Sequence, residues 1–347
     1  MPWTRRISGC IAWMLLGAAL GWAQGKSGLL LTVTSTSGDS QQRFHSYWIA
    51  RDGAQVQVTD GMRFLVPRKA GWWEIGILGL TRVNSSARSE IVVAAPLGAR
   101  YRRSHVIPVS DDNTCPDEIS TYSVSWVGSD FAALHHAYES SCGAHPVSGE
   151  ESFMVKLESL RREDEQTPAL LKLSEAAGDS AVTAMKLGAD VANTRAAQKS
   201  GEDDATLPIV ANENSWLVIR SKGHYHLLGT TSMEHGQGGD SYDVPVDPPQ
   251  LLVGGDTLAV GWDTVLDKVP DATDAYTSPD GDLAVVVNSR YVSVFEVREK
   301  KIDKRLARFA IESASVIAAQ WSTGANVDRW NETLVPLLKA TSPSPHQ

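Results

Sequence analysis

Five pairs of short β-rich runs constrain the fold of this chain more than any other feature. Residues 47–50 and 56–59 flank Arg51-Asp52-Gly53, and 64–67 and 72–78 flank Arg68-Lys69-Ala70-Gly71. Further along, 122–127 and 131–136 flank Gly128-Ser129-Asp130, and 216–220 and 225–228 flank Ser221-Lys222-Gly223. The last pair, 283–288 and 291–297, flanks Ser289-Arg290. Two β-rich runs joined by a few polar or glycine residues form a hairpin, because glycine supplies positive φ and Asp or Ser bonds the turn backbone. A further run, 29–35 (LLLTVTS), is rich in β-formers and alternates in its second half. The pattern predicts a mainly β protein built from antiparallel hairpins.

Helical signals are few. In 181–199, Val182, Met185, Ala189 and Ala196 fall at helical spacings, with Asp179 or Ser180 to cap the start and Gly201 to end it. Much of this stretch is small and polar, so a mobile excursion competes with a helix. A second helix is expected at 325–334, where Val327, Trp330 and Leu334 share a face and Pro336 stops the run. Trp321 and Trp330 are expected to dock that helix on the core. Linker-like stretches lie at 161–167, 201–205 and 236–249, yet the β pattern resumes after each. The domain expectation is therefore a single β-rich unit over 24–340, an insertion near 175–206 and a disordered tail at 341–347.

Ser278-Pro279-Asp280-Gly281 leads directly into the last hairpin. Proline fixes φ at the first turn corner and glycine takes a position that strains other residues. This unit, residues 276–297, resembles a blade of the extracytoplasmic β-propellers. The resemblance implies a propeller-like architecture; a β-sandwich or two stacked β-domains is the alternative. No regular repeat of about 40 residues runs through the chain. The turns near Asp52, Ala70, Ser129, Lys222 and Ser289 are unevenly spaced, which departs from a regular propeller.

The N-terminus carries an address. Arg5 and Arg6 precede the uncharged apolar run 11–22, and Gly21 and Ala23 place small residues at −3 and −1 of a cut before Gln24. That order predicts a signal peptide over residues 1–23 and a secreted or periplasmic protein. The run is shorter than the roughly 18 apolar residues of a spanning helix, and no later run is longer. Cys10 precedes the apolar run instead of following it, which does not suit lipidation. With the leader removed, Cys115 and Cys142 remain, and an even pair in an exported chain predicts one disulfide. The net charge is −9 and becomes more negative without Arg5 and Arg6, which opposes nonspecific binding to nucleic acid or anionic lipid.

Three side-chain groups invite chemistry. His224 and His226 are two apart, so both imidazoles share one strand face. With His235 as a third ligand, or Asp240 or Asp243 in its place, they can hold zinc or copper. His135, His136 and His145 surround Cys142, although adjacent histidines on a strand face opposite ways. The series Asp263, Asp267, Asp271, Asp274, Asp280 and Asp282 can supply oxygens to calcium, without the spacing of an EF-hand. Trp48, Trp72 and Trp73 are candidates for stacking on a sugar ring or a partner's apolar group. No G-x-S-x-G, G-x-G-x-x-G or G-x-x-x-x-G-K motif occurs, so no nucleotide cofactor is indicated. The leading expectation is an exported, noncatalytic binding or scaffold protein of the cell envelope, with an envelope protein or glycan as partner. The alternative is a secreted metal-dependent hydrolase using His224 and His226.

Overall fold

The computed structural model describes residues 25–36, 42–82, 88–98, 106–107, 119–141, 147–161, 168–199, 208–231, 233–234, 240–254, 257–311 and 315–340. The leader, Cys115, Cys142, His145, Gly201, His235 and the tail 341–347 lie outside the described residues.

Four sheets, antiparallel but for two short parallel pairings, stand in a ring like the blades of a four-bladed β-propeller. Sheet A joins β1 (Ser27–Thr36), β2 (Gln42–Asp52) and β3 (Gln55–Gly61) to the last strand, β19 (Ser315–Thr323), in the order β19-β1-β2-β3. Sheet B holds two meanders. The first is β4 (Phe64–Arg68), β5 (Gly71–Arg82) and β6 (Arg88–Pro96); the second is β8 (Ile119–Val127), β9 (Phe131–Ser140) and β10 (Val147–Lys156). They meet where Arg88 and Ser89 pair in parallel with Ile119 and Ser120. Two short strands, β7 (Val106–Ile107) and β13 (Met233–Glu234), pair with β5 and β10. Sheet C is β11 (Trp216–Ser221), β12 (His224–Thr230) and β14 (Ser241–Val244). Sheet D is the meander β15 (Asp274–Thr277), β16 (Leu283–Val287), β17 (Tyr291–Arg298) and β18 (Lys301–Ala310). The sheets differ in strand number, which is why the turn signals are unevenly spaced along the chain. All five sequence-legible hairpins form, as β2–β3, β4–β5, β8–β9, β11–β12 and β16–β17.

The apolar run of β1 is explained by burial on both faces. Leu29, Leu31 and Val33 pack toward sheet D, while Leu30 joins Trp48, Leu334 and Leu338 on the other side. Each such leucine contributes about 1.5–3 kcal/mol by leaving water. Pairing of β1 with β19 runs from Ser27↔Thr323 to Thr34↔Ser315 and closes the ring without a covalent bond. Polar clamps span the four junctions. Between sheets A and B, the Gln42 amide bonds both the N–H and the C=O of Val124, each at 2.8 Å. Between B and C, Thr230 Oγ1 donates to the Ser152 carbonyl at 3.1 Å. Between C and D, Asp274 Oδ1 accepts from the Gly223 N–H at 2.6 Å and its other oxygen faces Arg220.

The D–A junction uses the blade-like turn. Ser278 Oγ donates to Asp282 Oδ1 at 2.6 Å and accepts from the N–H groups of Asp282 and Leu283. Ser27 Oγ reaches the same carboxylate oxygen from sheet A at 2.7 Å. Arg51, 2% exposed, donates to the Asp282 carbonyl and to Glu296 Oε1. Burial pulls the Glu296 carboxyl upward, but hydrogen bonds and charges from Arg51 and Arg298 prevail and hold it below its ordinary 4.5.

Among the described residues, five α-helices complete the fold: α1 (Leu173–Ala177), α2 (Asp179–Lys199), α3 (Gln250–Val253), α4 (Trp262–Lys268) and α5 (Ala325–Lys339). The segment 179–199 is an ordered helix, with Ala181, Met185 and Ala189 buried on one face. Pro336 does not stop the last helix. It lies inside α5, which continues to Lys339 because Leu338 is buried and the Pro336 carbonyl accepts from the Ala340 N–H at 3.0 Å. Trp330 docks α5 on Trp48 and Trp72, whereas Trp321 packs with the core between sheets A and D.

Candidate functional site

A cleft of about 710 Å³ runs between α2 and β14. Small residues let the helix approach the sheet. At Gly188 a Cβ would strike the backbone oxygen of Asp243, so only glycine permits this contact. Asn193 then pins the segment after the helix, donating to the Ile209 carbonyl and accepting from its N–H. One wall is apolar, with Leu187, Val191, Ala192, Ile209, Leu228 and Pro245; Leu187 and Val191 are exposed. Arg195, Asp240, Ser241 and Asp243 supply the polar rim. Tyr242 lies flat over Gly229, and its buried hydroxyl has no hydrogen-bond partner among the described residues. Burial pushes that phenol up to about 12, so it stays protonated as a donor.

A second cavity, about 170 Å³, lies where the four sheets meet and is lined by residues of β8, β11, β12, β15 and β19. Arg220 occupies it, 3.0 Å from Asp274 Oδ2 and stacked over Tyr225 and Tyr276. Burial first, and the Asp274 charge second, hold the Tyr276 phenol far above its ordinary value. This space is smaller than the roughly 300–1,000 Å³ of ligand pockets. Arg220 pairs there with Asp274 and stacks on both tyrosines, which suits packing rather than ligand binding.

The sequence-derived candidates are distributed as follows. His224 and His226 share one exposed face of β12, as the spacing requires, and His235 lies outside the described residues. Among the described residues, no group of three or more His, Cys, Asp and Glu side chains is placed to hold a metal. Asp274 and Asp282 are committed to Arg220 and Arg51, and Asp271 accepts from Asn288. Trp48 is 1% exposed and donates to Asn331, Trp73 is buried beneath Arg68, and the Trp72 indole donates to Thr333 of α5. These three tryptophans pack the core and seat α5.

Sequence reading missed the cleft, because it depends on where α2 lies against β14. It also missed a string on sheet B, where His136 bonds Ser120 through one ring nitrogen and Glu151 through the other. Only strand register brings those three together. Among known proteins, no family model, no curated protein and no solved structure matches this chain. What the fold and cleft define is a propeller-like β-protein with a lateral groove beneath a helix.

Proposed function

We propose that the protein is an exported binding module of the cell envelope that holds its ligand in the cleft between α2 and β14. The observation that carries this reading is a cleft of ligand size with an apolar wall and a polar rim in which Arg195 stands beside Asp240 and Asp243. The ligand class that suits it is amphipathic, with an apolar body against Leu187 and Val191 and an anionic or hydrogen-bonding group toward Arg195. Export rests on the Arg5-Arg6 leader and its small-residue cut site. In that compartment, Cys115 and Cys142 form a disulfide.

An anilinonaphthalene sulfonate dye, which pairs an apolar body with an anion, tests the cleft. Saturable fluorescence enhancement is expected with the native protein, weakened by Val191→Asp and by Arg195→Glu. Absence of saturable binding, or equal binding by both variants, removes the reading. N-terminal sequencing after expression with the leader is expected to begin at Gln24, and a retained leader counts against export by cleavage.

A further inference from the structure

The geometry points to Ser120 as a nucleophile toward carboxylic esters, with His136 as its base and Glu151 as a positioning residue. The site lies on sheet B, away from the cleft, and neither reading depends on the other. Register assembles it from three adjacent strands: Tyr122 of β8 stands opposite His136 of β9, His136 stands opposite Glu151 of β10, and Ser120 stands opposite Tyr138. Strands hold such groups more rigidly than loops do.

The proton positions follow from the partners. A carboxylate only accepts, so at 3.0 Å from Glu151 Oε1 the His136 Nδ1 carries the hydrogen. Nε2 then presents its lone pair, and at 2.9 Å the Ser120 hydroxyl donates to it. Acid, imidazole and hydroxyl thus stand in the order that activates a serine. The ring is held in plane by Tyr122, stacked at 4.3 Å and 11°, with Tyr138 at 5.6 Å beside it. His136 is 15% exposed and Glu151 40% exposed, so the string opens to solvent on one side. The neighbouring His135 provides an internal contrast. Its Nδ1 meets Ser152 Oγ at 3.0 Å, but Glu150 stands 3.6 Å from Nε2, so no carboxylate fixes its tautomer.

In the reaction, Ser120 Oγ bonds to the ester carbonyl carbon as its proton passes to His136 Nε2. The imidazolium, balanced by Glu151, returns that proton to the departing alkoxide as the ester C–O bond breaks. Water then attacks the acyl-serine, giving one proton to His136, which returns it to Oγ as the carboxylic acid leaves.

The test uses the full chain with a fluorophosphonate probe and p-nitrophenyl acetate. Peptide mapping is expected to place the phosphonyl group on Ser120, with fluoride as the leaving group. Labelling and ester turnover are expected to vanish in Ser120→Ala, to fall roughly 100-fold in His136→Gln, and to persist in Ser152→Ala. Glu151→Gln keeps an acceptor and loses the charge that balances the imidazolium, so kcat is expected to fall while KM stays unchanged, a split that a merely structural role would not give. Circular dichroism reports that each variant is folded. Failure of native protein to label at Ser120 or to turn over the ester overturns the proposal, as does an unchanged rate in folded His136→Gln.

Discussion

Replacing Arg51 with Met tests the junction that closes the ring. The guanidinium is 2% exposed and has three hydrogen-bond partners: the Gly53 carbonyl at 2.8 Å, the Asp282 carbonyl at 2.7 Å and Glu296 Oε1 at 2.6 Å. The Asp282 carboxylate adds charge at 3.5 Å. Methionine fills most of the aliphatic volume and supplies no donor. Stranding one side of a buried ion pair costs roughly 3–5 kcal/mol. Glu296 keeps Arg298 at 3.0 Å on its other oxygen, but that partner is 63% exposed and screened by water. The expected loss is therefore at the low end, about 3 kcal/mol. Adding Glu296→Leu removes the stranded carboxylate and should recover at least about 1 kcal/mol. Urea unfolding followed by tryptophan fluorescence and near-ultraviolet circular dichroism gives both numbers, provided the slope is unchanged. A single-variant loss below about 1 kcal/mol, or a double variant no more stable than the single, refutes the reasoning. The junction would then behave as an exposed pair.

Three further outcomes are expected. Because the Glu296 pKa is lowered by folding, its stabilisation is complete above about pH 4.5 and lost as pH falls through the folded value. Urea midpoints measured from about pH 6 to 3 should fall less steeply in Glu296→Gln, and parallel curves would contradict the shift. Glu299 and Lys300 form a two-residue turn with φ of 51° and 60°, conformations strained for side chains, so Lys300→Gly should raise stability by about 0.5–1 kcal/mol. A lower urea midpoint would show that the turn is not strained. At Gly188 a valine forces α2 away from the Asp243 backbone, with an expected cost of about 1–3 kcal/mol and altered dye binding in the cleft. Wild-type stability and binding in Gly188→Val would mean that the helix does not rest there.

Local chemistry made the hairpins legible. Lys222-Gly223 shows why: both residues take positive φ, and the two-residue turn they form sets Ser221 opposite His224. The same period-2 logic placed His224 and His226 on one face. Pro336 does not end α5, because a stop signal acts through local backbone whereas burial of Leu338 holds the last turn from outside. Trp72 and Trp73 are adjacent on β5, so a strand alone turns one inward and the other outward. The outward one is instead covered by α5, a partner more than 250 positions away in the chain.

By itself, then, the sequence determined the β class, the hairpin partners and the place of the last helix, because turn geometry and side-chain alternation are properties of a few neighbouring residues. Tertiary structure alone decided that the sheets form a ring closed by β19 on β1, that α2 roofs a cleft, and that Ser120, His136 and Glu151 stand in line. Each of these depends on the packing of separate elements or on the register of adjacent strands. A one-residue slip of β9 would turn His136 to the other face and bring His135 into its place.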